Sequence, residues 1–137
     1  PAVLSPITPI NPADASTTRT FTFGRVNGVW TINGQGYDSN RIDATVSLDD
    51  TEIWEFVNNT GINHPVHIHL FMWQVIEVDG GPPGPEYQGW KDTFHLPGRS
   101  TVKAIAKFTG YPGTYVMHCH NLEHEDNAMM LNFEVTA

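Results

Sequence analysis

The stretch "YVMHCHNLEHEDNAMM", residues 115–130, holds three of the chain's seven histidines, its only cysteine and three of its four methionines. It begins as part of "GTYVMHCH", which has the composition of a β-strand. Successive side chains on a strand point to opposite faces, so we expect His118 and His120 on one face and Cys119 on the other, between two sheets. The polar run "NLEHEDN" that follows predicts one short helical turn.

The rest of the chain after residue 18 has the same strand-like character. Short runs rich in Val, Ile, Thr, Phe and Trp alternate with turn signals such as "NG" at 27–28 and 33–34 and "DGGPPGP" at 79–85. We find no convincing amphipathic helix of useful length. The sequence therefore predicts an all-β fold, a two-sheet antiparallel sandwich of eight or nine strands.

The beginning of the chain differs from the remainder. Residues 1–18 contain four prolines among the first twelve positions, which predicts an extended linker or an arm lying on a surface. The remaining 19–137 form a single expected domain, in line with a length of 137 residues. Because the chain starts at Pro1, we expect either a removed leader or a piece of a longer protein, secreted or periplasmic.

Composition excludes two classes of partner. The formal net charge is −8, whereas binding to nucleic-acid phosphates needs clustered Lys and Arg, so we expect no nucleic-acid partner. No apolar run approaches the roughly 18 residues of a membrane helix, so we expect no membrane span.

A first set of metal ligands has the spacing C-x4-H-x4-M, formed by Cys119, His124 and Met129, with His64 upstream. Two imidazoles and a thiolate with a weak axial thioether make a blue-copper electron-transfer site. Taken singly, a buried Cys is more often a small hydrophobic residue and a Met is more often core filler. Met130 is a rival axial ligand, and it faces the opposite way if the strand is regular.

A second set consists of two His-x-His pairs, His67 with His69 and His118 with His120. Four imidazoles together indicate a metal, and imidazole suits copper or zinc. The alternative is that they are solvated surface residues. His95 falls outside both sets and is expected to be a strand-surface residue.

These motifs resemble a known family. "HPVHIH" together with "HCHNLEHEDNAMM" closely resembles the signature pair of multicopper oxidases, in the bacterial laccase and bilirubin-oxidase branch, and "INGQGYD" and "GWKDT" look like that branch's C-terminal domain. The resemblance implies a cupredoxin-like Greek-key β-sandwich of about eight strands over 19–137. It also implies copper as cofactor, with type 1 ligands His64, Cys119, His124 and Met129, type 2 ligand His67, and type 3 ligands His69, His118 and His120.

The resemblance further implies an activity. Such enzymes take single electrons from phenols, aromatic amines or metal ions at the type 1 site and pass them to a trinuclear cluster that reduces O2 to water. Cys119 is covalently flanked by two histidines of the second set, which gives a short route between the sites. His124 resembles the family's solvent-facing ligand, and the analogy suggests Glu125 for proton delivery.

The resemblance leaves the cluster half complete. The family's cluster needs eight histidines, of which this chain offers four, so a second cupredoxin domain or another copy of the chain must supply the rest. Two alternatives from other classes stay open: a stand-alone cupredoxin that shuttles electrons, and a copper-storage module.

Overall fold

Ten strands form two five-stranded sheets within residues 5–137, the part of the chain that this computed structural model describes. The strands are β1 (Thr17–Val26), β2 (Val29–Ile32), β3 (Ala44–Ser47), β4 (Thr51–Asn58), β5 (His64–Ile68), β6 (Gln74–Val78), β7 (Thr93–Leu96), β8 (Thr101–Lys107), β9 (Gly113–Cys119) and β10 (Met130–Thr136). A single α-helical turn, α1 (Leu122–Glu125), lies where the sequence predicts one, and short 3-10 turns occur at Pro12–Asp14 and Pro85–Tyr87. The predicted two-sheet sandwich is confirmed.

The first sheet has the order β2-β1-β4-β8-β6 and the second has the order β3-β10-β9-β5-β7. Each sheet contains one parallel pair, β1 with β4 and β3 with β10, so the expected antiparallel pairing holds for the other neighbouring strands but not for these two. Parallel neighbours need a long crossover connection. Turn signals identify hairpins between adjacent strands but carry no information about strands that pair across such a distance.

One strand-like run, "VHIHLFMWQVIEV" at 66–78, includes a break between two strands. It contains the end of β5, in the second sheet, and all of β6, in the first. Between them Leu70 adopts a positive φ of 73°, and the chain crosses from one sheet to the other. Phe71 and Trp73 in this crossing are buried, so the connection belongs to the core and its apolar composition hides the break between the strands.

Aromatic side chains fill the space between the sheets. The Trp54 ring lies 4.9 Å from that of Trp73 and 5.3 Å from that of Phe133, centroid to centroid. Trp54 and Trp73 are fully buried in this core, whereas Trp90 is exposed.

The proline-rich segment lies against β6 where it is described. The Gln74 side chain accepts a hydrogen bond from the Ile10 amide and donates one to the Thr8 carbonyl, at 2.8 and 2.9 Å. The predicted arm, 1–18, extends in part over residues 1–4, which lie outside the described residues, and β1 begins at Thr17. Within residues 5–137 no helix has the length and apolarity needed to cross a membrane.

Candidate metal centre

The register of β9 against β5 places two groups of side chains on opposite faces of the second sheet. Cys119 pairs with Val66, and His118 pairs with His67. Directly paired residues in an antiparallel ladder share a face. Cys119 therefore points toward the first sheet and His118 points away from it, as the sequence predicts. We call His64, Cys119 and His124 the inner site and call His67, His69, His118 and His120 the outer cluster.

The three inner-site ligand atoms converge. His64 Nδ1 lies 3.1 Å from His124 Nδ1 and 3.5 Å from Cys119 Sγ, and Cys119 Sγ lies 3.4 Å from His124 Nδ1. His64 and Cys119 are fully buried, and His124 is 4% exposed. The site is thus closed to bulk water.

This triangle has the size that a metal ion needs. A point equidistant from the three atoms lies about 1.9 Å from each, close to the roughly 2.0–2.3 Å of metal bonds to imidazole nitrogen and thiolate sulfur. The donors are one soft sulfur and two imidazoles, a set that suits copper. The side chains present therefore fit a transition metal.

Burial keeps the inner site uncharged when no metal is bound. It lowers the pKa of His64 to about 4, with a smaller contribution from His124. Burial likewise lowers the pKa of His124 and raises the pKa of the Cys119 thiol. A cation that binds here must displace the thiol proton, but it finds two imidazoles that are already neutral.

The two methionines lie on different faces. Met129 is fully buried, its amide donates to the His124 carbonyl, and its carbonyl accepts from the Cys119 amide. Met130 pairs directly with His118 in the β9–β10 ladder and so shares the face of the outer cluster. This arrangement favours Met129 over Met130 as a neighbour of the inner site.

The structure corrects the expectation that His124 is solvent-facing. The indole of Trp30, on β2, covers the His124 ring at a centroid distance of 4.0 Å and lies 5.5 Å from the His64 ring. Trp30 is itself only 8% exposed, and the Arg25 guanidinium lies over it at 4.9 Å. Sequence reasoning missed Trp30. The only signal was an aromatic residue in a short strand, which says nothing about its partner on α1.

The outer cluster brings three imidazoles close together. One ring nitrogen each from His67, His69 and His118 lies within 4.8 Å of the other two. The Nε2 atoms of His69 and His118 are 3.2 Å apart, a separation that requires a proton or a cation between them. The ring of His120 lies at the edge, 5.6 Å from that of His67 and 5.4 Å from that of His118. All four predicted histidines thus meet on one face.

Hydrogen bonds orient two of these rings. His67 Nδ1 lies 3.0 Å from the Asp92 carbonyl oxygen and 2.8 Å from the Thr93 hydroxyl. His118 Nδ1 lies 3.2 Å from the Cys119 carbonyl oxygen. A ring nitrogen that faces a carbonyl carries the proton, so Nε2 of each ring offers the free lone pair.

Glu125 contacts the outer cluster from α1. Its Oε2 lies 3.4 Å from His118 Nδ1, and the carboxylate is 30% exposed. The helical turn therefore carries His124 toward the inner site and Glu125 toward the outer cluster. His95 lies exposed on β7, opposite Pro65, as the sequence predicts.

The chain is similar in sequence to several known proteins. A family model described as multicopper oxidase matches residues 8–137. The chain is 41% identical over 128 residues to the bilirubin oxidase of Albifimbria verrucaria, covering 88% of this chain and 22% of that protein. It is 45% identical over 112 residues to the multicopper oxidase mco of Staphylococcus haemolyticus, covering 77% of this chain and 24% of that protein.

A solved structure shares the fold. The crystal structure of the McoA multicopper oxidase from the hyperthermophile Aquifex aeolicus matches with a TM-score of 0.89 at 38% identity, covering 98% of this chain and 32% of that one. The chain spans less than a quarter of the length of the two curated relatives named above.

Proposed function

The chain belongs to the multicopper oxidase family, and on that premise we propose that it takes single electrons from a reducing substrate at the inner site and relays them to the outer cluster. The substrate is a phenol, an aromatic amine or a metal ion, and the outer cluster, once completed, reduces O2 to water. Copper, the family's cofactor, supplies the one-electron redox chemistry when it is bound. The proposed type 1 ligands are His64, Cys119, His124 and Met129, the type 2 ligand is His67, and the type 3 ligands are His69, His118 and His120.

The observation that carries this proposal is the placement of both sets of donors on one strand. Cys119 contributes its sulfur to the inner site, while its neighbours His118 and His120 contribute imidazoles to the outer cluster. The His118 ring also contacts the Cys119 carbonyl oxygen at 3.2 Å. An electron on the cysteine sulfur is thus a few covalent bonds from the outer cluster.

Other properties of these side chains support electron transfer and proton delivery. His64 and Cys119 are fully buried, which excludes water from the inner site and limits the rearrangement between two oxidation states. We assign proton delivery to Glu125, because its partly exposed carboxylate lies between solvent and the outer cluster, 3.4 Å from His118 Nδ1. Removal of that carboxylate should slow O2 reduction and leave the inner site unchanged.

The outer cluster needs a second set of histidines. His69 and His120 are exposed on this face, and the chain represents less than a quarter of the length of the two curated relatives named above. We propose that a second cupredoxin domain, or another copy of the chain, covers this face and supplies the missing imidazoles. Copper that bridges two such faces would stabilise only the associated state.

The test is native mass spectrometry combined with copper analysis and O2 uptake, with and without copper. More than one copper per chain, assembly that depends on copper and O2 uptake with a phenol would support the proposal. His67→Ala/His120→Ala should abolish assembly and O2 uptake, whereas His95→Ala, on an exposed histidine of the same sheet, should keep both.

Other outcomes would favour the alternatives. The inner site draws all its ligands from this one chain, which is the observation in favour of a stand-alone electron shuttle. A monomer that binds one copper and takes up no O2 would exclude self-assembly and leave two readings, the electron shuttle and one domain of a longer oxidase. Several coppers per chain without O2 uptake would instead indicate storage.

A further inference from the structure

The side chain of Asn58, the last residue of β4, is fixed in orientation by backbone carbonyls. Asn58 is 2% exposed, and its Nδ2 lies 2.8 Å from the carbonyl oxygens of both Ile62 and Pro97. Carbonyl oxygens only accept hydrogen bonds, so the atom that faces them must be the amide nitrogen. Asn58 Oδ1 consequently faces the other way, toward Thr60.

The orientation of the Asn58 amide determines where the hydroxyl hydrogen of Thr60 points. Its Oγ1 lies 2.7 Å from Asn58 Oδ1 and 3.1 Å from the Ile62 carbonyl oxygen. Two oxygens at such distances need a hydrogen between them, and neither the amide oxygen nor the carbonyl has one. The single hydroxyl hydrogen of Thr60 is therefore directed at these acceptors.

The same hydroxyl touches His64, the buried imidazole of the inner site. Thr60 Oγ1 lies 2.9 Å from His64 Nε2. Since its only hydrogen is already used, the hydroxyl oxygen must accept from His64, and Nε2 must carry the proton. The lone pair of His64 is then on Nδ1, the atom that faces Cys119 Sγ and His124 Nδ1.

We propose that Thr60 is a positioning residue that fixes the tautomer of His64, so that Asn58 and Thr60 select the nitrogen that binds the metal. The inference deepens the proposed function, because it concerns how the inner site is prepared for copper. The proposal concerns which nitrogen of the neutral His64 ring carries the proton in the metal-free protein.

The loop that carries Thr60 is held against a second loop. The Thr60 carbonyl accepts from the Arg99 amide at 2.9 Å, and Asn63 Oδ1 accepts from the Gly98 amide at 3.0 Å. A Cβ on Gly98 would come within 2.8 Å of the Gly61 backbone, so only glycine permits this close approach. The Thr60 hydroxyl is therefore held in place by backbone contacts on both sides of it.

The experiment compares Thr60→Val, which replaces the hydroxyl with a methyl group, and Thr60→Ser, which keeps the hydroxyl. In the metal-free chain, long-range proton–nitrogen NMR should show His64 protonated on Nε2 in the wild type and in the Ser variant, and a mixture of tautomers in the Val variant. Copper affinity of the inner site, measured by chelator competition, should fall about tenfold or more in the Val variant, the usual loss when a metal ligand loses its hydrogen-bond partner. The Ser variant should keep the wild-type affinity.

A matched control is Thr136→Val, which removes a hydroxyl that donates to the Val46 carbonyl on β3. It should leave both the tautomer and the copper affinity unchanged. A wild-type His64 protonated on Nδ1 would overturn the proposal even if the Val variant does not fold. So would a Val variant with the wild-type tautomer and affinity, or a Ser variant as weak as the Val variant. If the tautomer shifts as expected but the inner site binds no copper, the positioning role stands and the proposed function fails.

Discussion

Acidification of the metal-free chain should destabilise it through His64. The ring is fully buried, and its pKa is lowered to about 4 from an ordinary value of 6.5, first by burial and then by His124. The unfolded chain therefore takes up this proton more readily than the folded chain. The contribution of His64 to stability is intact above about pH 6.5 and is lost as the pH falls toward about 4.

The size of the loss follows from the two pKa values. Their difference corresponds to about 3 kcal/mol, a large fraction of the roughly 5–15 kcal/mol that stabilises a typical domain. His69 and His124 also have lowered pKa values because of burial, so they act in the same direction. The total acid sensitivity should exceed the share of His64 alone.

Urea denaturation between about pH 7 and pH 4 measures this effect. His64→Gln keeps a polar side chain but removes the titrating group, so its free energy of unfolding should fall by about 3 kcal/mol less than that of the wild type over this range. His95→Gln, at an exposed position, should behave like the wild type. An identical pH dependence in the wild type and His64→Gln would refute the reasoning.

Three further predictions concern the copper-loaded protein. Cys119→Ser should abolish an intense blue colour that arises from thiolate-to-copper charge transfer, and a colourless wild type measured by visible absorption would contradict the inner-site assignment. Met129→Leu should keep the colour but raise the reduction potential in voltammetry, because a weak donor that favours Cu(II) is lost, whereas Met130→Leu, on the other face, should change neither. Bulky substitutions in 121–127, around His124, should slow oxidation of large phenols more than that of small inorganic reductants in steady-state assays, and equal slowing of both would exclude a docking role for this segment.

The sequence predicted the layers of the fold better than their connections. Alternation of apolar residues and turn signals located nearly every strand, because side-chain period and glycine or proline turns are local properties. The pairing of β3 with β10 was not predictable, because it joins positions almost ninety residues apart. The break between β5 and β6 was hidden for a different reason, since Phe71 and Trp73 in the crossing are as apolar as strand residues.

The candidate site was predictable where its residues share a strand. Alternation alone separated Cys119 from its two neighbouring histidines, and the register of β9 against β5 bears this out. Trp30 was not found because it contacts His124 from a distant strand, and Thr60 was not found because its role depends on how the Pro97 carbonyl orients Asn58. A tryptophan in a short strand and a threonine in a loop have no local pattern that distinguishes them.

Both sites use residues of β9, and this limits where insertions and deletions can be tolerated in the sequence. Side-chain direction alternates along a strand, so inserting or deleting one residue within 117–120 would turn Cys119 outward and its neighbouring histidines inward. Both sites would be lost in a single genetic event, with no intermediate in which one of them survives. Surface turns such as 79–85 tolerate an extra residue, because a longer loop leaves the side-chain directions in the flanking strands unchanged. Insertions and deletions among related genes should therefore accumulate in the turns and be purged from 117–120, even where substitutions elsewhere in β9 are tolerated.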